Sequence, residues 1–171
     1  MSKNPSASHL ARCGLIAAVY TVLCLTLAPI SYGPIQIRVA EALTLLPVFG
    51  GEYILGVVLG CLLANALGST AVDVVFGTTA TLLACLCTWL LRHRRIRGLA
   101  LPAALPPVLF NAVIIGLEIV FFFTEGAATL PGFLWAALTV GIGQVISCCI
   151  LGVGLVYLIE HNPALRRIFC P

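Results

Sequence analysis

Long stretches without a single charged residue divide this sequence, and they constrain its fold more than any other feature. The longest runs from Gly126 to Ile159, which is 34 residues, and another runs from Cys13 to Ile37. A helix needs about 20 consecutive apolar residues to cross a bilayer. Charged residues make up only 9% of the chain, whereas they make up about 25% of a soluble domain. The sequence therefore predicts an all-α membrane protein, with residues 1–171 forming a single integral membrane domain.

The positions of the charged residues predict six membrane-spanning helices. The approximate bounds that we expect are 10–31, 39–50, 53–69, 74–92, 102–123 and 131–159. The second helix is unusual, because only ten uncharged residues, Ala42 to Gly51, separate Glu41 from Glu52. This length is short for a full crossing, so the distribution of basic residues has to decide whether the segment spans the membrane.

Three basic clusters decide the expected orientation. Lys and Arg collect in the cytoplasmic segments of membrane proteins. If the short second segment crosses, there are six crossings, and both termini and the loop between the fourth and fifth helices lie on the cytoplasmic side. If it does not cross, the loop with four arginines lies outside. We therefore expect it to cross, with both termini cytoplasmic (N-in/C-in). The clusters are Lys3 with Arg12, then Arg92, Arg94, Arg95 and Arg97, and finally Arg166 with Arg167.

Missing residues and motifs exclude several classes of function. The only lysine is Lys3, so the sequence has neither the lysine of a nucleotide-binding P-loop nor a pocket lysine for a Schiff base. It contains no HExxH or GxSxG motif, and its eight cysteines form no CxxC pair that would indicate a zinc site. The net charge of +3 is too small to indicate a nucleic-acid partner. We therefore expect no enzymatic activity, no cofactor and no metal on this chain.

Polar residues near the predicted outer surface form a candidate binding site. Placing a charge inside a bilayer costs about 2.5–3.5 kcal/mol, so such residues pair, face a cavity or serve a site. Carboxylates accept hydrogen bonds and amides both donate and accept them, which suits a flat, hydrogen-bonding heterocycle. Tyr32, Phe76 and Trp135 would add aromatic faces. We predict an outward-facing cavity whose candidate residues are Gln36, Arg38, Glu41, Asn65, Asp73, Asn111, Glu118 and Gln144.

Several of these residues also have a purely structural explanation. Arg38 and Glu41 are three residues apart and can pair with each other. Asp73 can cap the N-terminus of the fourth helix. Asn65 and Gln144 can join neighbouring helices through hydrogen bonds. Both the structural and the ligand-binding interpretation stay open for these five residues.

Glu118 is harder to explain structurally. Its own helix offers no cationic partner within a turn or two. Asn111 lies seven residues earlier, which places it on the same helical face about two turns deeper. For both residues the sequence favours a role in binding a ligand.

Small residues spaced four apart recur along the chain. Such pairs let two helices approach closely in a membrane. Within a six-helix bundle most of them explain packing between helices of the same chain, but a pair on the first helix can instead present a flat face to a partner protein. The pairs are Gly14 with Ala18, Gly56 with Gly60 and Ala64 with Gly68.

Three segments carry a resemblance to a known family. The sequence resembles the QueT family in AVYTVLCLTLAPISYGPIQIRVAEALTLLPVF (Ala18–Phe49), in NALGSTAVDVVFGTTATLLA (Asn65–Ala84) and in FNAVIIGLEI (Phe110–Ile119). Members of this family are substrate-binding S components of energy-coupling-factor (ECF) transporters and are associated with precursors of queuosine. The resemblance implies an S-component-like bundle of six helices, N-in/C-in, in the bacterial plasma membrane.

The same resemblance implies partners for the chain. An S component binds a micronutrient in an outward-facing pocket and works with a scaffold membrane protein and two cytoplasmic ATPases. In this family the first helix carries small residues at a spacing of four that contact the scaffold. Gly14 and Ala18 match that pattern, with Gly in place of the more usual Ala.

The substrates that the resemblance implies are 7-deazaguanines: the nitrile precursor base, the aminomethyl precursor base or queuine. The edge of a guanine presents two adjacent N–H donors that one carboxylate can accept together, and Glu118 is the first choice for that acceptor. An aminomethyl cation would need a second carboxylate, Glu41 or Asp73. The carbonyl and ring nitrogens of the base would form hydrogen bonds with the side-chain amides of Asn111, Asn65, Gln36 and Gln144.

Three other functions stay open at the level of the sequence. The chain could be an S component for another vitamin or for another purine-like base. It could be a membrane-embedded enzyme that uses Glu118 and Asp73 as acid and base, although no lysine or histidine lies within the predicted spans. It could also be a purely structural membrane subunit, which would not account for the polar residues gathered on one side.

Overall fold

The computed structural model describes residues 7–28, 37–124 and 126–169, and these residues are mostly helical. An isolated bridge between Ile96 and Leu99 closes the turn of the loop at residues 92–97. The helices are α1 (Ala7–Thr26), α2 (Val39–Val48), α3 (Tyr53–Gly68), α4 (Ala71–Leu90), α5 (Leu101–Phe123), α6 (Leu130–His161) and α7 (Pro163–Phe169).

Four of these helices are long and apolar enough to cross a membrane: α1, α4, α5 and α6. The two others in the predicted set are shorter. As a 3-10 helix of 10 residues, α2 extends about 20 Å at ~2.0 Å per residue. With 16 residues, α3 extends about 24 Å at ~1.5 Å per residue. Both fall short of a hydrocarbon core of about 30 Å, so length alone identifies four candidate spans and not six.

The short helix α2 lies in the interior of the bundle. Eight of its ten residues are buried, including Glu41, Thr44 and Leu45. A helix this short would leave backbone groups unsatisfied if lipid surrounded it, whereas contacts with protein can satisfy them. Thr44 Oγ1, for example, donates to the carbonyl oxygen of Glu41 at 2.6 Å. Burial among the other helices therefore explains how so short a segment is accommodated.

Contacts between distant parts of the chain bring both ends of the described sequence to one end of the bundle. Arg95, in the loop at residues 92–97, forms an ion pair with Glu160 at the end of α6, with 2.6 Å between Nη2 and Oε1. In the following helix, the carbonyl oxygen of Ile168 accepts a hydrogen bond from Arg12 Nη1 at 3.0 Å. We call this the basic end of the bundle.

Glycines on α3 allow it to pack closely against α1. A Cβ atom added at Gly60 would lie 2.6 Å from Tyr20 Cβ and 3.0 Å from the carbonyl oxygen of Ala17. The pair Gly56 and Gly60 therefore serves packing within the chain. On the other face of α1, a Cβ at Gly14 would meet nothing within 4 Å among the described residues.

Of the two prolines inside α5, Pro106 and Pro107, the second allows a hydrogen bond from α4. Pro107 has no N–H group, so the carbonyl oxygen of Ala103 loses its usual donor four residues later. The hydroxyl of Thr88 on α4 donates to that oxygen at 2.8 Å instead. The Thr88 hydroxyl thus replaces the backbone donor that the proline lacks, and this hydrogen bond joins α4 to α5.

The two long C-terminal helices each change their winding at a polar residue. After Glu118, α5 continues as a π-helix over Ile119–Phe123. After Gln144, α6 continues as a π-helix over Val145–Gly152 and becomes α-helical again at Val153. Wider turns of this kind are frequent at functional sites, and nothing in the sequence analysis predicted them.

We expect the change Gly60→Ala to destabilise the protein. The added methyl group meets Tyr20 and the backbone of α1, and overpacking of this kind costs about 1–3 kcal/mol. The matched control is Gly14→Ala, which gains the same helix propensity of about 1 kcal/mol but adds its methyl group to open space. Thermal unfolding in detergent should show a lower Tm for Gly60→Ala than for Gly14→Ala. Equal Tm values would contradict the close α1–α3 packing.

Candidate functional site

The start of α2 brings two charged residues into the protein interior, Arg38 at the N-cap and Glu41 in the first turn. Arg38 is 4% exposed and Glu41 is fully buried. Burying a charge is costly unless opposite charges and hydrogen bonds surround it. Each of the two charges acts on the other, and residues from three neighbouring helices complete the surroundings.

Tyr20 on α1 provides the first of these contacts. Its hydroxyl donates to Glu41 Oε1 at 2.5 Å, and its side chain is fully buried. The sequence analysis did not single out Tyr20. The available signal was a phenol within an otherwise apolar span, because a buried tyrosine hydroxyl usually has a hydrogen-bond partner.

Asn65 on α3 provides the second contact and connects three helices. Its Oδ1 accepts from Arg38 Nη2 at 2.5 Å, and its Nδ2 donates to the carbonyl oxygen of Asp73 on α4 at 3.0 Å. A Cβ added at Gly77 would lie 2.7 Å from that nitrogen, so the glycine makes room for the amide. Asn65 therefore joins helices, as its structural interpretation expected.

Asp73 lies in the first turn of α4 and not in the connection before it, where the sequence analysis had placed it. The helix begins at Ala71, three residues before the expected start at 74. The interpretation of Asp73 as the N-cap is wrong, because the hydroxyl of Thr70 accepts the capping bond from Asp73 N. The Asp73 carboxylate instead accepts a hydrogen bond from the hydroxyl of Ser69.

Glu118 is the most unusual group in the cluster. It is 1% exposed, and neither of its carboxylate oxygens has a hydrogen-bond donor among the described residues. Asp73 lies beside it, and the charges of Asp73 and Arg38 both act on it. The two carboxyl groups are close enough to share a hydrogen bond, and because ionised carboxylates only accept, that bond requires a proton on one of them. One turn further along each helix, the rings of Phe76 on α4 and Phe122 on α5 contact each other, with 5.5 Å between their centroids.

Two further amides, Asn111 on α5 and Gln144 on α6, are buried in the bundle. Asn111 Nδ2 donates to the carbonyl oxygen of Pro107 at 3.0 Å, while its Oδ1 has no donor among the described residues. Gln144 Oε1 accepts from the thiol of Cys148 at 3.4 Å, and that thiol is also 3.5 Å from the carbonyl oxygen of Glu41. Through Cys148, α6 is therefore connected to α2.

The structure brings five of the eight predicted binding residues together at the end of the bundle opposite the basic end. We call this group the polar cluster; it consists of Arg38, Glu41, Asn65, Asp73 and Glu118. Asn111 and Gln144 are also buried. Gln36 and Tyr32 lie outside the described residues. Trp135 is 69% exposed, so its expected place beside the cavity is wrong.

The polar cluster is closed in this structure, whereas the sequence analysis expected an open outward cavity. Apart from the half-buried Asp73, its members are at most 4% exposed. Several buried oxygen atoms in and around it nonetheless have no partner, the carboxyl group of Asp73 apart, in the part of the chain that the structure describes. These atoms are Glu41 Oε2, both Glu118 carboxylate oxygens, Asn111 Oδ1, Thr78 Oγ1 and Ser147 Oγ. Most of them only accept hydrogen bonds, so the arrangement suits a molecule rich in N–H donors.

Comparison with known proteins gives a family match across most of the chain. The model of the family described as "QueT transporter" matches residues 10–161. Over 70 residues, the chain is 46% identical to the "Queuosine precursor transporter QueT" of Lactococcus lactis subsp. cremoris (strain MG1363). That match covers 40% of this chain and 41% of the relative, so it spans less than half of the relative's length. No solved structure matches the chain.

We expect the change Tyr20→Phe to destabilise the protein by about 1–3 kcal/mol, because it leaves a buried Glu41 oxygen without its donor. The control is Tyr157→Phe, since Tyr157 is 50% exposed and water can replace its contacts. Thermal unfolding of both variants in detergent measures the difference. A Tyr20→Phe protein as stable as the control would show that this hydrogen bond contributes little to the fold.

Proposed function

The chain belongs to the QueT transporter family, and from this premise we propose that it is the substrate-binding S component of an ECF importer. Its ligand is a queuosine precursor, a 7-deazaguanine that it captures from outside the cell. The Lactococcus relative, named as a queuosine precursor transporter, supports this substrate class. The polar cluster is the proposed binding site.

The burial of the Glu118 carboxyl group is the strongest support for placing the binding site here. Its two buried oxygens have no donor among the described residues other than the carboxyl group of Asp73, and a buried acceptor without a donor is costly. The adjacent N–H donors on the edge of a guanine supply two parallel hydrogen bonds to one carboxylate. We therefore assign that edge to Glu118.

The deeper amides complete the proposed site. Asn111 Oδ1 is buried without a donor and lies about two turns below Glu118 on the same helix face. The side-chain amides of Asn111 and Gln144 can form hydrogen bonds with the remaining ring nitrogens and the carbonyl of the base. Asn65 and Arg38 are bonded to each other and support the site from α2 and α3, while Gln36 stays a candidate from the sequence alone.

Six crossings with both termini in the cytoplasm remain our proposed topology in the bacterial plasma membrane. The shared basic end, which joins Arg95 to Glu160 and Arg12 to Ile168, supports it through the positive-inside rule. The interior position of α2 also supports it, because protein replaces lipid around the short segment.

The exposed small residues of α1 are the proposed contact with the scaffold protein. Gly14 and Ala18 are both exposed, in contrast to Gly56 and Gly60, which pack within the bundle. The proposed mechanism is binding from outside and docking on the scaffold, followed by reorientation that two cytoplasmic ATPases drive. The chain itself carries out no covalent chemistry. An S component for another vitamin or purine-like base stays the alternative.

The first test is calorimetric titration of the purified chain with the nitrile base, the aminomethyl base, queuine and guanine. We expect saturable binding of at least one 7-deazaguanine and weaker binding of guanine. No response from protein that unfolds cooperatively would exclude the proposed substrates and favour the alternative.

We expect Glu118→Gln to weaken binding of the 7-deazaguanine by about 1.5–3 kcal/mol, because a charge-assisted hydrogen bond is replaced by a neutral group. Glu52→Gln is the matched control, since Glu52 lies in the turn before α3, at the basic end. Titration gives the two Kd values, and thermal unfolding without ligand checks the fold. Unchanged affinity in a folded Glu118→Gln protein would remove this residue from the site.

We expect Gly14→Leu and Ala18→Leu to leave ligand binding unchanged and to block uptake by cells. Both add bulk to the α1 face that we assign to the scaffold. The control is Gly154→Leu, which adds the same bulk to α6 where a Cβ meets nothing within 4 Å. Normal uptake in the α1 variants would exclude this face as the scaffold contact, and loss of binding as well would indicate a role in folding.

A further inference from the structure

The carboxyl groups of Asp73 on α4 and Glu118 on α5 meet inside the polar cluster. They are close enough to share a hydrogen bond. Because ionised carboxylates only accept hydrogen bonds, this contact holds a proton between the two side chains. Glu118 is 1% exposed, whereas Asp73 is half-buried. In this closed structure the pair therefore carries one proton, and only Asp73 connects it to the surrounding water.

The surroundings of the two carboxyl groups place this proton on Glu118. Asp73 lies in the first turn of α4, where the helix dipole favours a negative charge, and the hydroxyl of Ser69 donates to it. Glu118 receives no hydrogen bond from a hydroxyl, amide or guanidinium group of the described residues. Burial without such donors favours the neutral form of a carboxyl group. Glu118 is therefore the donor of the pair and Asp73 the acceptor.

One further charge acts on Glu118, that of the Arg38 guanidinium at the start of α2. The same guanidinium acts on Glu41. The helices α1 and α3 contribute a phenol and an amide to the cluster, and α6 has no charged residue from Leu130 to Ile159. Among the charged groups of the described chain, Arg38 is thus the one that stabilises a negative charge on Glu118.

The donor edge of a bound base requires a different protonation state of Glu118. Two parallel N–H donors need both oxygens of an ionised carboxylate, whereas a protonated carboxyl group is itself a donor. In the proposed complex, Glu118 therefore gives up the proton that it holds in the closed structure. Asp73 does not retain that proton, because the helix N-terminus and the hydroxyl of Ser69 favour its ionised form.

We propose that ligand binding at this site is coupled to the release of one proton, which passes from Glu118 by way of Asp73 to the surrounding water. The inference rests on the proposed function and adds a regulation to it. A released proton makes binding weaker in acid, so the Kd falls as the pH rises for as long as the free protein keeps its proton. The site then captures its base more tightly in neutral than in acidic surroundings.

Calorimetric titration with whichever precursor base binds more tightly tests the proposal, since neither base changes its own protonation state between about pH 6 and about pH 8. In buffers of different ionisation enthalpy at about pH 6, binding should release about one proton per ligand. Between about pH 6 and about pH 8 the Kd should fall by several-fold, and by no more than about tenfold per pH unit.

Two outcomes separate this inference from the proposed function. Binding that releases no proton, or a Kd that is the same at both pH values, would overturn the coupling and leave the proposed function intact. Binding of neither precursor base by protein that unfolds cooperatively would overturn the proposed substrates and the coupling with them.

The variant Glu118→Gln tests whether this residue is the source of the proton. Its side-chain amide has no proton to give up near neutral pH, so we expect the remaining binding to release none and the Kd to vary by less than about twofold over the same pH range. Glu52→Gln, at the basic end, should release as much as the wild type. Undiminished release from a folded Glu118→Gln protein would overturn the proposal.

The variant Asp73→Asn tests the sharing of the proton and does not remove the proposed ligand contact. An amide at this position donates to Glu118 without a shared proton, so Glu118 is ionised before the ligand arrives. We expect proton release to fall below about half a proton per ligand and the pH dependence of the Kd to flatten. Full release from a folded Asp73→Asn protein would show that the pair does not hold the proton.

Discussion

The burial of α2 is the constraint on which the rest of the structure depends. A 3-10 helix of ten residues is too short to face lipid along a full crossing, so other helices have to surround it. Arg38 at its N-cap and Glu41 in its first turn also lie in the interior, where each charge needs partners. Tyr20 from α1 and Asn65 from α3 provide them. The contacts that stabilise the short helix are thus the same contacts that build the polar cluster.

The irregular parts of the longer helices serve the same region. The π-helical segments begin directly after Glu118 and Gln144, so the winding changes where polar side chains enter the interior. Deeper in α5, the proline that breaks the backbone pattern is compensated by Thr88 from α4. The hydroxyl of Thr88 here substitutes for a backbone hydrogen bond, so the carbonyl oxygen of Ala103 is not left unsatisfied.

The polar cluster combines two kinds of residue that the sequence could not separate. Asn65 is occupied on both its amide atoms by protein groups, which explains its position by packing alone. Apart from the Asp73 carboxyl group beside Glu118, the acceptor atoms of Glu118 and Asn111 Oδ1 have no donors in the described chain, which packing does not explain. This difference directs the functional proposal to α5 and to the Asp73 carboxylate beside it. The family match over residues 10–161 is consistent with a binding role for such a site.

The sequence by itself determined the membrane character, the helical class and the family, because uncharged runs such as Gly126–Ile159 and the motif around Arg38 and Glu41 are local features that need no knowledge of neighbours. It also selected most of the buried polar residues, since a charge inside an apolar span is conspicuous. Only the tertiary structure decided their partners: that Tyr20 bonds to Glu41, that Thr70 and not Asp73 caps α4, and that Trp135 faces outward. The physical reason is that helix rotation and depth depend on packing between helices that are far apart in the chain, whereas hydrophobic periodicity fixes neither.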